Sequence, residues 1–356
     1  MLVVIMAGGV GERFWPSSRR LRPKQLLDLT GRGSMLRLTI ERIGDLARPD
    51  EIYIFTNRDQ REAVLGEAHG LVPDDHVIGE PEVRNTAPCI GLAAVVAERA
   101  HGSQPMLVLP ADHIVEPAGR FRDLVRAGAK FVSDHGALLT FGIVPTRPET
   151  GYGYIRPGAG WGQEGDAEVR RAEAFLEKPT PERARALVES GCLWNSGMFL
   201  WRTDTLLEGL GRHQPQLRAV LARIAAALGT RPLDEVLNEE YGRAPAISID
   251  YGLMEKADNV AVMRADFTWN DVGSWEFVRD VHDADPDGNV LVGEHVTIDA
   301  AGNTVVSRDR LVGLVGVDDL VVVDAGDAIL VCRRDRAQDV RKIVAELKRR
   351  GRNDLV

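Results

Sequence analysis

Residues 1–145 alternate short apolar runs with longer segments whose apolar residues recur at helical spacing. Strands that alternate with crossover helices form a mostly parallel sheet that is covered on both faces. The predicted fold class is therefore α/β, with a doubly wound, Rossmann-like sheet. The expected strands are Leu2–Met6, Glu51–Thr56, Val77–Ile78, Met106–Pro110 and Ala137–Ile143, and the expected helices are 34–47, 58–68, 87–100 and 121–133.

The second half of the chain is less regular. Residues 150–280 mix short strands, among them Ala246–Ile249, with helices, and we interpret them as an insertion that completes a pocket. A turn cluster at 283–288 is followed by short β-rich runs and then by a charged helix, Asp335–Arg350. We therefore expect a catalytic domain at 1–282 and a small, β-solenoid-like C-terminal domain with a closing helix at 288–356. An ordinary structural or dimerising module is the alternative for the latter.

Charge and cysteine content exclude several classes of protein. The formal net charge of −9 argues against a general nucleic-acid binder, which needs a broad basic face. The three cysteines lie more than 100 residues apart, which fits neither a zinc motif nor a disulfide framework. The chain lacks an apolar stretch long enough for a membrane span, and its first strand has no signal-like flanks. We expect a soluble cytoplasmic protein that binds neither nucleic acid nor membrane.

A glycine-rich segment follows the first strand directly, as Ala7-Gly8-Gly9-Val10-Gly11. Glycines at this place let backbone N–H groups converge on an anion. The segment is not a Walker A loop, because no Gly-Lys-Ser/Thr follows, and Phe14 stands where the Rossmann fingerprint needs its third glycine. A plain tight turn is the alternative interpretation.

The residues after the glycines favour phosphate binding. Residues 13–24 contain five cations and no acid, and Pro16 and Pro23 stiffen the segment. A rigid basic loop beside a glycine nest suits a triphosphate, with Arg13 and Lys24 as its charge partners. The alternative is a solvated run of charges.

This segment, GGVGERFWPSSRRLRPKQ, resembles the signature of the sugar-1-phosphate nucleotidyltransferases, and more narrowly of the branch that makes GDP-mannose. Seven further blocks of the chain resemble the family in the family's order. They are Glu80-Pro81 with RNTAP (84–88), LPADH (109–113), TGYGYI (150–155), FLEKP (175–179), WNSGMF (194–199), SIDY (248–251) and WNDVGSW (269–275).

The resemblance implies an activity. The chain would transfer GMP from GTP to mannose 1-phosphate with Mg²⁺, giving GDP-mannose and pyrophosphate by in-line attack on the α-phosphorus. Its alternatives are a nucleotidyltransferase for another sugar 1-phosphate or base, and a non-catalytic sugar-nucleotide sensor. A homodimer is possible, but the resemblance does not decide the oligomeric state.

The resemblance also implies roles for individual residues. Arg13, Lys24 and Asp112 would be catalytic, and Asp112 and Asp271 would bind the metal. The nucleotide would be bound by Ala7, Gly8, Gly9, Gly11, Glu80, Asn85 and Thr86, and the sugar phosphate by Gly153, Glu177, Lys178, Asn195 and Asp250.

Five of the polar candidates also have a structural interpretation. Asp112 and Asp250 could be helix N-caps, Asp271 a turn residue, and Glu177 with Lys178 an exposed ion pair. For the base, the N1–H and N2–H₂ donors of guanine call for a carboxylate or carbonyl acceptor. Glu80, Asn85 and Thr86 follow a predicted strand and are the candidates for this contact.

Overall fold

The computed structural model describes residues 1–356, and the predicted alternation of strands and helices is present in its first part. Leu2–Met6 is buried along almost its whole length, as expected of a central strand. The strands here are β1 (Leu2–Met6), β2 (Ile52–Asn57), β3 (Val77–Glu80), β4 (Pro105–Pro110), β5 (Ile114–Glu116) and β6 (Leu138–Ile143), and the helices are α1 (Met35–Ile43), α2 (Arg61–Ala68), α3 (Thr86–His101) and α4 (Ala118–His135).

The middle of the chain adds a long hairpin and five helices. Three of these helices, Thr203–His213, Leu233–Glu240 and Val278–Val281, were not predicted. The strands are β7 (Gly153–Glu164), β8 (Ala167–Glu177), β9 (Leu193–Arg202), β10 (Val260–Arg264) and β11 (Thr268–Asn270), and the helices are α5 (Pro181–Glu189), α6 (Thr203–His213), α7 (Pro215–Ala227), α8 (Leu233–Glu240) and α9 (Val278–Val281).

The predicted strand at Ala246–Ile249 is wrong. This segment lies beside the N-terminus of α3 and has no neighbouring strand. Its backbone bonds the helix instead: Ile247 O accepts from Ala87 N at 3.1 Å, and Ile249 N donates to Thr86 Oγ1 at 2.8 Å. Local β-propensity could not reveal that a helix end takes up these hydrogen bonds.

The main sheet has nine strands in the order β3-β2-β1-β4-β9-β6-β10-β8-β7. All except β9 and β8 run in one direction, so the prediction of a mostly parallel α/β sheet is confirmed. Side chains alternate across it: Val3 and Ile5 belong to a cluster of 40 buried apolar residues, and Leu2 and Val4 to a cluster of 34 on the other face. Both faces are therefore covered.

The C-terminal part is a short solenoid. Parallel ladders join β12 to β14 to β16, and β13 to β15, while β17 closes the sheet antiparallel to β16. Buried Asn303 donates to Asn289 Oδ1 at 3.0 Å, which links successive turns. The elements are β12 (Val290–Val292), β13 (His295–Ile298), β14 (Thr304–Val306), β15 (Val312–Val315), β16 (Leu320–Asp324), β17 (Ile329–Arg333) and α10 (Arg341–Arg349).

One apolar cluster joins the solenoid to the segment after β1. Phe14 and Trp15 pack in it together with Trp275, and the solenoid contributes side chains that include Val321 and Val344. Trp15 Nε1 donates to Leu355 O at 2.8 Å, and Trp275 Nε1 donates to Trp15 O at 3.1 Å. The C-terminal part thus holds the segment that follows the glycines.

No helix in the structure combines the length and apolarity that crossing a bilayer requires.

Candidate active site

Two adjoining cavities open at the carboxyl ends of β1, β3 and β4, where an α/β sheet places its ligands. The larger measures about 420 Å³ and the smaller about 380 Å³. Asp112, His113 and Asp271 line both, so these residues stand at the junction. The predicted residues that line the larger cavity are Ala7, Gly8, Gly9, Glu80, Asn85, Thr86, Asp112, Gly153, Glu177, Asn195, Asp250 and Asp271.

Side chains from neighbouring elements hold the glycine segment in the larger cavity. Asn57 Nδ2 donates to Gly8 O at 2.7 Å, and buried Gln25 donates to Ala7 O at 2.6 Å. These hydrogen bonds to the carbonyl oxygens of Ala7 and Gly8 hold both residues in a fixed conformation. A Cβ on Gly9 would meet nothing within 4 Å, so this stretch of backbone borders open space.

The smaller cavity contains the other predicted phosphate ligands, Gly11, Arg13 and Lys24. Gly11 has a φ of +73°, and a Cβ there would lie 2.3 Å from Lys24 Cβ. Any other residue would displace the lysine, so glycine is required at this position.

The remaining cations of the basic segment do not join the site, which corrects the expectation of one basic loop over the glycines. Arg19 pairs with Asp327 of the solenoid at 2.9 Å, and Arg20 pairs with Asp59 at 2.6 Å. Arg22 lines a separate cavity. Two of the five cations, Arg13 and Lys24, therefore line the smaller cavity.

Lys24 links the two predicted metal ligands. Its buried Nζ lies 2.8 Å from Asp112 Oδ2 and donates to Asp271 O at 2.7 Å. Burial tends to raise the pKa of Asp112, but the Lys24 charge, His113 and the Lys24 hydrogen bond outweigh it and hold that pKa below its usual value. Burial lowers the pKa of His113 to about 4, so this imidazole is neutral at physiological pH.

The structure excludes the helix-cap interpretation of Asp112 and places the Asp271 side chain in the lining of both cavities. Asp112 precedes β5, and α4 begins only at Ala118, so Asp112 caps no helix. The Asp271 side chain accepts from Tyr152 OH at 2.5 Å and faces the cavities. Both carboxylates are directed into the site.

The donor set fits a magnesium ion shared with a phosphate. Carboxylate oxygens are hard ligands that Mg²⁺ prefers, and it keeps several waters or phosphate oxygens beside one or two of them. The structure has no group of three or more His, Cys, Asp or Glu side chains that could hold a metal. Asp112 and Asp271 would thus provide part of a coordination shell that the substrate completes.

Glu177, Asn195 and Asp250 form a second polar group in the lining of the larger cavity. Asn195 Nδ2 donates to Asp250 Oδ1 at 3.0 Å, and burial, followed by the nearby Glu177 charge, raises the pKa of Asp250 to about 6. Asp250 lies in a π-helical turn that has no side-chain cap, which removes its N-cap interpretation. A Cβ on Gly153 would lie 2.5 Å from Glu177 Oε2, so the absence of a side chain makes room for that carboxylate.

Lys178 lies outside both cavities. Its side chain is 63% exposed and its Nζ lies 3.0 Å from Glu177 Oε1. The exposed ion pair is therefore the arrangement present in this structure, and Lys178 lies beside the cavity rather than in it.

Glu80 lies at the end of β3, almost completely buried, and accepts a hydrogen bond from Tyr241 OH. Burial raises the pKa of Glu80 to about 7, although the bonds from Tyr241 and Cys89 oppose the shift. Asn85 and Thr86 begin α3, where Asn85 Oδ1 accepts from Thr86 N at 2.8 Å. These residues form a polar wall at one end of the larger cavity.

Sequence reasoning missed four side chains that support the site: Gln25, Asn57, Tyr152 and Tyr241. Gln25 stands in the quoted signature and Tyr152 in the TGYGYI block, so attention to each block's polar members could have found them. Asn57 directly follows the predicted strand Glu51–Thr56, at the correct edge of the sheet. Tyr241 had no signal, because only the packing of a distant helix end brings it to Glu80.

A family model described as "Nucleotidyl transferase" matches residues 2–288, which contain both cavities except for one C-terminal residue, Arg341. The chain belongs to the nucleotidyl transferase family. A second model, described as "MannoseP isomerase/GMP-like beta-helix domain", matches residues 293–347 and agrees with the observed solenoid.

Similar proteins extend this family assignment over the whole chain. A mannose-1-phosphate guanylyltransferase of Klebsiella pneumoniae is 41% identical over 99% of this chain and 75% of its own length. Another from Salmonella typhimurium is 43% identical, over 99% of this chain and 74% of its own. A crystal structure described as a mannose-1-phosphate geranyltransferase from Thermus thermophilus superposes with a TM-score of 0.86 at 37% identity, covering 98% of this chain and 99% of that one.

Proposed function

We propose that this nucleotidyl transferase transfers GMP from GTP to mannose 1-phosphate, giving GDP-mannose and pyrophosphate. The observation that carries the proposal is the junction of the two cavities at Asp112 and Asp271, which Lys24 contacts from the smaller cavity. Such a junction suits a triphosphate that is attacked at its inner phosphorus while its outer phosphates lie in the smaller cavity. The names of the relatives supply the base and the sugar.

The reaction requires little acid–base catalysis from the protein. A sugar phosphate is already anionic and attacks the α-phosphorus as pyrophosphate leaves. Catalysis then depends on holding two anions in line and on neutralising the charge that develops on the leaving group. Arg13 and Lys24 line the smaller cavity and would supply this charge, and the backbone of Ala7, Gly8, Gly9 and Gly11 would bind phosphate oxygens.

Asp112 and Asp271 would hold magnesium, which would offset the negative charge of the phosphates when bound. Lys24 contacts both residues, and its charge keeps Asp112 ionised and ready to bind a cation. Tyr152 fixes the Asp271 carboxylate.

The sugar would lie at the Glu177, Asn195 and Asp250 end. Carboxylate and amide groups there can bond several hydroxyls at once, while the Gly153 backbone lines the same wall. Lys178 would leave Glu177 and pair with the sugar phosphate when it arrives. At the other end, ionised Glu80 would accept from guanine N1–H and N2–H₂, next to Asn85 and Thr86.

Location and assembly are proposals as well. Three free cysteines and a nucleoside triphosphate substrate fit the cytoplasm. Exposed apolar side chains on the solenoid, Val296, Ile298 and Val315, support a homodimer through that face. Light scattering at micromolar concentration tests the dimer.

A substrate panel tests the function. The protein is incubated with GTP, ATP, UTP or dTTP, each with mannose, glucose or another sugar 1-phosphate and magnesium, and released pyrophosphate is measured. We expect GTP with mannose 1-phosphate to give the highest kcat/KM. A preference for UTP or dTTP with glucose 1-phosphate would refute the base and sugar, and no turnover with any pair would favour the non-catalytic sensor.

A further inference from the structure

We propose that Arg341, the first residue of α10, is a phosphate-binding residue that the C-terminal part contributes to the smaller cavity. This inference rests on the proposed function, because it assigns Arg341 to the outer phosphates of the triphosphate and to the pyrophosphate that leaves. Of the residues that line this cavity, Arg341 alone comes from beyond residue 273.

Arg341 differs from the basic residues around it. Lys342 pairs with Asp339 at 2.7 Å, Lys348 with Glu12 at 2.6 Å, and Arg349 and Arg350 both pair with Glu346. Arg341 makes no ion pair, although its exposed side chain lies on the same helix. In a protein with a net charge of −9, an unpaired guanidinium beside a cavity is a charge available to an anionic ligand.

The charge balance of the smaller cavity favours such a ligand. Its acids are Glu12, Asp112 and Asp271. Glu12 is paired with Lys348, and Asp112 with Lys24, whereas the Asp271 carboxylate has no cation partner and accepts from Tyr152 OH. Arg13 and Arg341 face the cavity without a carboxylate partner. A guanidinium binds two phosphate oxygens at once, so two of them suit a pyrophosphate group.

The helix that carries Arg341 is fixed against the phosphate segment. Val340 and Val344 are buried in the cluster that contains Phe14 and Trp15. The Lys348–Glu12 pair and the Trp15–Leu355 hydrogen bond add polar links between the same two segments. Little ordering of the backbone is then needed to bring Arg341 to a phosphate.

Arg341 would contact only the outer phosphates of the nucleotide and the pyrophosphate that leaves, since it does not line the larger cavity. Its removal is therefore expected to raise the KM for GTP in the forward reaction, and the KM for pyrophosphate in the reverse reaction, by about tenfold, as for the loss of one charged hydrogen-bonding partner. The KM values for mannose 1-phosphate and GDP-mannose should stay within about twofold.

The test compares Arg341→Gln with Lys342→Gln, an exposed neighbour that lines neither cavity. Calorimetry with inorganic pyrophosphate and magnesium measures binding directly, so the result does not depend on the base or sugar that the enzyme uses. We expect about tenfold weaker binding for Arg341→Gln, wild-type binding for Lys342→Gln and partial recovery for Arg341→Lys.

Three results would overturn the inference. They are wild-type pyrophosphate affinity in Arg341→Gln, equal weakening in both variants, and no pyrophosphate binding by the wild-type protein. Failure of the proposed function looks different: pyrophosphate would bind and depend on Arg341, while no nucleotide and sugar 1-phosphate pair turned over. Because Arg341 is exposed, melting temperatures within a few degrees of wild type are expected.

Discussion

Lys24 Nζ lies 2.8 Å from Asp112 Oδ2, and the same ammonium group donates to the backbone oxygen of Asp271. One buried side chain thus joins the segments that follow β1, β4 and β11. Lys24 thereby holds the lining of the smaller cavity against the segments that carry Asp112 and Asp271.

Replacing Lys24 with Ala should lower kcat by about 10²-fold or more, because a cation that neutralises the leaving group is lost. Asp112 also loses its partner, so we expect a decrease of about 1–3 kcal/mol in unfolding free energy. Steady-state kinetics at saturating substrates and thermal melts measure both effects. Arg20→Ala, an exposed cation of the same segment, is the control. An unchanged kcat in Lys24→Ala would remove Lys24 from the mechanism.

Asp112→Asn and Asp271→Asn should each raise the magnesium concentration that gives half-maximal activity. Asn keeps the size of the side chain but removes its charge. If both residues act on one ion, the double variant should cost much less than the sum of the two single changes. Strictly additive losses would contradict a shared ion. So would a metal-bound structure with the carboxylates more than about 8 Å apart, since each ligand lies about 2.0–2.1 Å from magnesium.

Lys178→Ala should raise the KM for mannose 1-phosphate by about tenfold while the KM for GTP changes by less than about twofold. In the present structure Lys178 is exposed and paired only with Glu177, so its loss should not affect folding. Initial rates with each substrate varied in turn make the measurement, and Lys130→Ala, another exposed and paired lysine, is the control. Equal increases of both KM values would exclude a specific role at the sugar phosphate.

The pH dependence of GTP binding should follow Glu80. Its pKa of about 7 means that the carboxylate is protonated below and ionised above this pH. Since an ionised carboxylate accepts from both guanine donors more strongly than a neutral carboxyl group does, the KM for GTP should fall as the pH rises from about 6 to 8. In Glu80→Gln the KM should be higher and nearly independent of pH across this range. A wild-type KM that is flat, or that rises with pH, would argue against this contact.

The raised pKa of Glu80 also predicts that its contribution to the free energy of unfolding decreases as the pH rises, while GTP binding improves. The folded pKa of Glu80 lies above its ordinary value of 4.5, so its stabilising contribution is complete below that value and is lost as the pH rises through about 7. Thermal melts of wild type and Glu80→Gln at pH 5 and pH 8 should show the variant gaining relative stability at pH 8. Parallel melting curves at the two pH values would contradict the shifted pKa.

We propose that the chain divides into a catalytic domain at 1–282 and a C-terminal domain at 288–356. The two domains share the apolar cluster around Phe14, Trp15 and Trp275. Expressed alone, residues 1–282 should bind more of a hydrophobic dye, melt at a lower temperature and lose most activity, because burial of these aromatic side chains is lost. A truncated protein with the full-length melting temperature and kcat would show that the C-terminal part is independent.

The elements of the main sheet could be predicted because their signals are local. Leu2–Met6 is apolar at every position, as a strand buried on both faces requires, and Ser34 caps α1 as a serine before an amphipathic run does. The wrong strand at Ala246–Ile249 and the missed α6 and α8 share one cause. Their backbone and apolar partners lie far away in the sequence, and no local pattern records them.

The sequence by itself determined the α/β class and the loops that line the two cavities, because the alternation of strands with helices and the placement of glycines follow from local chemistry. Only the tertiary structure decided which of the five cations between residues 13 and 24 line the smaller cavity, that Lys178 pairs with Glu177, and that Arg341 from the C-terminal helix lines the same cavity as Lys24. These outcomes depend on which carboxylate competes for each cation in space. That competition is set by contacts between segments up to hundreds of residues apart.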